Sequence, residues 1–294
     1  MGVAAKSGVS SAMNSADDGL LDDQRMADGQ ILRRRSWPLP DAKRAVLFVH
    51  GLGEHSGRYR HVAAWFQARG FDVRSYDQRG HGQTQGPRGA LRHDDDLLTD
   101  LTAVYNDYAA GHSRPPLLLG HSMGGLVTAR TVLDGRIKPA AMLLTSPALR
   151  SWEGAGMRKL AHVLASVLPN LPLSNGLKVD DLSHDASVIA GYLNDPLVFN
   201  KITPRLADFI FRAGAACIAD SALLKVPTLL LVAGADKLVD PSGSTDFAAG
   251  AWATNQLTTR HFAALYHELM NEAEPARIQV MKQMGDWLDR LPTA

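Results

Sequence analysis

A chain of 294 residues with 45% hydrophobic and 21% charged residues has the composition of a globular protein with room for one large core. A formal net charge of +1, with Arg33-Arg34-Arg35 as the densest basic tract, argues against a nucleic-acid partner. A single cysteine, Cys217, excludes an internal disulfide and a cysteine-based zinc site, and no run reaches the roughly 18 apolar residues of a membrane span.

Residues 1–28, rich in Ser, Ala, Gly and Asp, predict a flexible tail. They hold no apolar stretch suited to a signal peptide, so a cytoplasmic location is expected. The three arginines read as a solvated strand or sheet edge. "RAVLFVHG" (44–51) is a continuous apolar run, as in a strand buried on both faces. "RYRHVAAWFQARG" (58–70) then spaces Tyr59, Val62, Trp65 and Phe66 along one helical face. "FDVRSYD" (71–77) alternates as a strand, and "DDDLLTDLTAVYNDYAAG" (94–111) opens with acids that favour a helix N-terminus. "PPLLLG" (115–120) is a buried strand followed by a helix, and "AAMLLTSPAL" (140–149) is another strand. This alternation implies right-handed crossovers, a mostly parallel sheet and helices on both faces.

The pattern breaks over residues 151–225, which contain helical stretches and prolines but no buried strand. It resumes with "VPTLLLVAGAD" (226–236), a last strand in "RHFAALYHEL" (260–269) and a closing helix over 274–290. The expected organisation is a core of 29–150 and 226–294 with a cap, 151–225, inserted over the carboxyl ends of the strands, where sites in such sheets lie.

"LLLGHSMGGLVTA" (117–129) places Ser122 in G-x-S-x-G between a buried strand and a helix, the context in which that motif presents a nucleophile. A serine hydroxyl needs a base, and the base needs a carboxylate to fix its tautomer; on such a turn they follow in the order Ser, acid, His. Asp236 directly follows a late strand, and Asp240, ahead of Pro241, reads better as a turn or capping residue. Only His261 and His267 come after Asp236; His261 lies inside the predicted strand and His267 at its end. Backbone N–H groups of Met123, at the helix start, and of Leu52, in "HGLGEHSGR", are placed to bind an oxyanion. Burial and Asp236 act on His267 in opposite directions, so activity should rise through one ionisation between about pH 6 and 7.5. His50, His55 and "HDDD" (93–96) do not read as a metal set, and no cofactor is expected.

With these segments assembled, the chain resembles the monoacylglycerol lipase and lysophospholipase group of α/β-hydrolases. The likeness rests on "HGLGEHSGRY" (50–59), "YDQRGHGQTQG" (76–86), "LLGHSMGG" (118–125), "AGADKLVD" (233–240) and "YHELMNE" (266–272). It extends to "LPNLPL" (168–173) and "YLNDPLV" (192–198) in the cap, and covers roughly residues 29–290. The resemblance implies an α/β-hydrolase fold with a helical cap, a Ser122–Asp236–His267 triad and Leu52 and Met123 as oxyanion donors. It further implies Glu54 and Arg58 as contacts for a glycerol-like head. Val239 stands where mammalian monoacylglycerol lipases carry a cysteine, so their thiol-directed inhibition is not expected here.

"GMRKLAHVLASVLPNLPL" (156–173) sets Met157, Leu160, Leu164, Val167, Leu168 and Leu171 on one stripe. For most of its length this reads as a helix face buried on the body. A lid role would instead line an acyl tunnel and let the cap touch a membrane or micelle surface. The expected activity is hydrolysis of carboxylic esters with an acyl chain and small polar head, monoacylglycerols foremost. Lysophospholipids and broader esters, polyesters or lactones stay open, as does a ligand-binding receptor on a hydrolase scaffold. Nothing in the sequence sets the oligomeric state.

Overall fold

The apolar runs become adjacent strands of one eight-stranded sheet in a computed structural model that describes residues 18–291. In chain order the first elements are β1 (Leu20–Arg25), β2 (Ile31–Trp37), β3 (Arg44–Val49), α1 (Arg60–Gln67), β4 (Phe71–Tyr76) and α2 (Asp96–Ala110). β5 (Leu117–His121), α3 (Met123–Leu133) and β6 (Met142–Thr145) follow. The cap holds α4 (Ala155–Val167), β7 (Leu173–Ser174), α5 (Ala186–Asn194), β8 (Lys201–Ile202) and α6 (Pro204–Ala219). The core resumes with β9 (Thr228–Ala233), α7 (Ser242–Ala251), β10 (Leu257–Phe262) and α8 (Ala276–Leu288).

The sheet order is β1-β2-β4-β3-β5-β6-β9-β10, antiparallel at β1/β2 and β2/β4 and parallel elsewhere. The inner parallel strands β3, β5, β6 and β9 bury both faces, and successive residues alternate between two cores. Leu47 and Val49 of β3 join the core that includes α2, α3 and α6, whereas Val46 and Phe48 join the one beneath α1 and α8. From β3 the chain turns one way to β4 and the other way to β5. That reversal opens a crevice at the carboxyl ends of β3 and β5, where a site is expected in an open α/β sheet.

Two expectations change. Residues 20–25, placed in the flexible tail, form edge strand β1; residues 1–17 lie outside the described residues. β1 was hidden because Leu20 and Leu21 are exposed and nothing in it alternates. Its register sets Asp22 opposite Arg34 and Asp23 opposite Arg33. Cross-strand charge pairs, Arg33 to Asp23 at 2.8 Å and Arg34 to Asp22, do what apolar burial does elsewhere. The arginine tract is therefore an inner strand, and Arg35 is buried with its Nε donating to Ser56 Oγ at 3.2 Å.

The last strand also ends earlier than expected. β10 stops at Phe262, paired with Ala233, and the chain then leaves the sheet. An added Cβ on Gly234 would lie 2.6 Å from Ala263 Cα, so the loops after β9 and β10 press together as they rise over the sheet. Asp236 and His267 sit in those two loops.

Candidate active site

Steric demands at the β5–α3 turn begin the site. Ser122 adopts φ 53°, a left-handed conformation that L-residues rarely take and that marks a functional constraint. Such a tight turn leaves no space around it. A Cβ on Gly120 would meet Gly124 O and Thr128 Oγ1, both at 2.6 Å, and one on Gly124 would meet Val49 O at 2.1 Å. The second glycine thus lets the start of α3 press against the end of β3. The Ser122 carbonyl accepts from Leu126 N and Ala148 N at 3.0 Å each, which fixes the turn from the helix side.

His267 Nε2 lies 2.8 Å from Ser122 Oγ, and His267 Nδ1 lies 2.6 Å from Asp236 Oδ2. The other Asp236 oxygen accepts the N–H groups of Leu238 and Val239 at 2.9 Å each, so the carboxylate cannot swing away. Nδ1 therefore carries the proton it donates to Asp236, and Nε2 is left to accept from the serine. Ser146, itself at φ 43°, donates its hydroxyl to the His267 carbonyl at 2.8 Å. Its part could not be read from sequence.

Burial depresses the His267 imidazolium, but the Asp236 carboxylate more than offsets this and the pKa ends above the ordinary value. Burial likewise opposes ionisation of Asp236, which His267 and its backbone donors pull below the usual carboxylate range. His121 packs 4.8 Å from the His267 ring, and burial and that neighbour push it down to about 4, so it stays neutral.

The competing residues lie elsewhere. Asp240 Oδ1 accepts from Ser242 N at 2.9 Å at the entry to α7, the turn role its sequence suggested. His261 is exposed in β10. His50 accepts from Gln78 N at 2.9 Å and His55 faces Asp195 at 2.9 Å, each within its own hydrogen-bond pair. Asp96 of the "HDDD" stretch accepts from the Arg92 and His93 N–H groups at the start of α2.

A cavity of about 600 Å³ opens over Ser122 and His267, and Leu52 and Met123 line it beside them. The cap contributes Met157, Leu160, Ala161 and Leu164 to its wall. α4 thus departs from the expected buried face. Ala161 is the helix's buried residue; Met157, Leu160 and Leu164 of the stripe border the cavity, whereas Val167, Leu168 and Leu171 are exposed outside it. Glu54 also lines the cavity, but Arg58 does not. Arg58 lies behind the wall, its guanidinium bonded to Glu54 at 2.6 Å and to Glu268 at 2.6 and 2.9 Å. Arg58, which the resemblance implied as a contact for a substrate head, here pairs its charge with two carboxylates.

A serine hydroxyl, an imidazole with a fixed tautomer and a carboxylate in one hydrogen-bond chain at the mouth of an apolar cavity form an arrangement suited to acyl transfer. Known proteins point the same way. A monoacylglycerol lipase of Mycolicibacterium smegmatis is 31% identical over 85% of this chain and 90% of its own. The phospholipase YtpA of Bacillus subtilis is 30% identical over 87% and 98%. A longer Dictyostelium discoideum relative, an uncharacterized abhydrolase domain-containing protein, is matched over 28% of its own length. The crystal structure of Paleococcus ferrophilus monoacylglycerol lipase superposes with a TM-score of 0.81 at 31% identity, over 87% of this chain and 98% of that one. The family described as serine aminopeptidase, S33, matches residues 40–274. The chain therefore belongs to that family, as a monoacylglycerol lipase-like α/β-hydrolase, and is a carboxylic ester hydrolase.

Proposed function

We propose that this hydrolase cleaves esters with an acyl chain and a small polar head, monoacylglycerols foremost, through Ser122, His267 and Asp236. The observation that carries the reading is the unbroken hydrogen-bond path from Asp236 through His267 to Ser122 at the mouth of a cavity walled by apolar cap residues. Ser122 Oγ attacks the ester carbonyl as His267 Nε2 takes its proton. The N–H groups of Leu52 and Met123 receive the oxyanion. The C–O bond to the alcohol breaks as His267 returns the proton to the leaving oxygen. Water, deprotonated by the same nitrogen, then attacks the acyl-enzyme and releases the acid and the serine. Glu54 lines the cavity, but its buried carboxylate is committed to Gly51 N, Arg58 and the Tyr59 hydroxyl.

Among the described residues no helix is long and apolar enough to cross a membrane. The cap instead exposes Trp152 at 56%, Val163 at 50% and Val167 at 69%. We infer that this face rests transiently on a lipid or micelle surface while substrate enters.

Purified Ser122→Ala protein should fold normally and lose hydrolysis of both monoacylglycerols and short nitrophenyl esters. Parental turnover by this variant on either substrate would overturn the nucleophile. A panel of mono-, di- and triacylglycerols, lysophospholipids and amino-acid anilides tests the substrate class. A lead for lysophospholipids or anilides over monoacylglycerols would reassign it.

A further inference from the structure

Behind the oxyanion loop lies a cluster of charge. Arg58 stands between Glu54 and Glu268, with the Tyr192 ring of the cap 4.7 Å from the guanidinium carbon. Glu54 Oε1 also accepts from Gly51 N at 2.6 Å and from the Tyr59 hydroxyl at 2.7 Å. Glu268 Oε2 also accepts from Asn271 Nδ2 at 2.8 Å. Glu54 is 2% exposed and Glu268 3%. In sequence, Gly51 adjoins Leu52 and Glu268 adjoins His267.

We propose that Glu54, Arg58 and Glu268 are positioning residues. They clamp the loop carrying the oxyanion donor to the loop carrying the base, and Arg58 does not bind the alcohol head of the substrate. The inference rests on the triad reading above.

Burying three charges is costly unless each is paired and hydrogen-bonded, and here the guanidinium fork serves both carboxylates while neutral donors serve their remaining lone pairs. The clamp holds Gly51 from two sides. An added Cβ there would lie 2.8 Å from Glu54 Oε1 and 3.1 Å from Ser122 Cβ, so carboxylate and nucleophile enclose the same residue. The Gly51–Glu54 bond fixes the shape of the loop that carries the Leu52 N–H, and the Arg58–Glu268 contacts tie that loop to the His267 segment. On the far side, the paired Nη1 and Nη2 contacts fix Glu268 and hence the backbone leaving His267.

Charge adds to geometry. Two carboxylates against one guanidinium leave the cluster net negative beside the imidazole that becomes cationic in the transition state. The groups facing His267 are Asp236, Ser122, neutral His121, Glu268 and Glu54. Against burial, Asp236 leads in raising its pKa, and Glu268 and Glu54 act in the same direction.

Two variants of the full chain separate the contributions. Arg58→Lys keeps the charge but loses the fork. It should lower kcat on the order of ten-fold, with KM within about two-fold of the parent and the acid limb of kcat/KM unmoved. Glu268→Gln keeps the shape but removes a charge, and should lower kcat and move that limb to lower pH by a few tenths of a unit. Tyr59→Phe removes one hydroxyl from Glu54 at nearly constant volume and should give a milder loss in kcat alone. It keeps the proposal testable if thermal unfolding shows Arg58→Lys to be unfolded. A rise in KM with kcat retained in Arg58→Lys would mean substrate contact and overturn the clamp. Folded variants with parental kcat and an unmoved limb would also overturn it. Failure of the triad reading is separate, because it would appear as turnover by Ser122→Ala or as parent enzyme inert to a fluorophosphonate.

Discussion

A buried imidazole held between a carboxylate and a hydroxyl feels two opposed forces, and their balance sets the pH at which it can act as a base. At His267 burial favours the neutral ring, Asp236 favours the cation, and the cation gains. With His267 as the proposed base, the neutral ring is the active form, so protonation below its pKa should switch activity off. The acid limb of kcat/KM should therefore lie above pH 6.5, with a plateau beyond it. A limb below pH 6 in initial-rate measurements would contradict this balance. Asp236→Asn removes both the charge and the acceptor that fixes Nδ1–H. It should cost about 10⁴-fold in kcat and lower the limb. Asp240→Asn should stay within a few-fold of the parent, since its carboxylate serves only the turn into α7. If Asp240→Asn proves the crippling change, the acid is misassigned. Order along the chain and position at strand ends singled out Ser122, Asp236 and His267, and these are the side chains that meet in space. Ser146 and Glu268 gave no such signal, because their work is done on partners 121 and 210 residues away. Arg58 shows the converse, since a motif can name a residue without saying which way it faces.

For the cap helix, periodicity located the apolar stripe but not what covers it. A helix burying its stripe on the body and one lining a cavity have the same pattern. α4 takes the second option because the insertion spans the crevice instead of filling it. Leu164 lines the cavity, so Leu164→Trp should shorten it from the cap side. Long-chain monoacylglycerols should then lose about ten-fold or more in kcat/KM, while short esters stay within about two-fold. Equal loss across chain lengths would show that Leu164 does not bound the acyl path. The outer face gives an independent test. Val163 and Val167 are exposed and lie outside the cavity wall, so replacing both with aspartate should reduce co-sedimentation with anionic or zwitterionic vesicles. Hydrolysis of a soluble nitrophenyl ester should not change. Unaltered vesicle binding would assign any lipid contact to another surface.

At the scale of the whole molecule, the parallel half of the sheet was legible because its strands are short, continuous apolar runs separated by helices, a pattern with few topological solutions. The switch in direction at β3 then places the loops after β3 and β5 side by side, which brings Leu52 to Ser122 with no information beyond strand order. The antiparallel margin was illegible for a physical reason: β1 has little to bury and is held by its ladder to β2 and by paired charges in solvent. Exposed ion pairs contribute little singly, so most of the strand's worth is its backbone pairing. Deleting residues 1–25 removes that ladder and the Asp18 carbonyl that accepts from Arg35, and leaves β2 as an unprotected edge. None of residues 18–25 lines the cavity, which is formed by loops at the carboxyl ends of the central strands and by the cap. The truncated protein should therefore keep kcat/KM within about two-fold while losing about 2 kcal/mol of stability, seen as a fall in Tm of roughly 3–4 °C. It should also aggregate more readily as the bare edge of β2 finds other chains. An activity loss that exceeds the fraction unfolded would mean that β1 steadies the catalytic loops through β2 and Arg35, whose guanidinium reaches Ser56 in the segment just after the oxyanion loop.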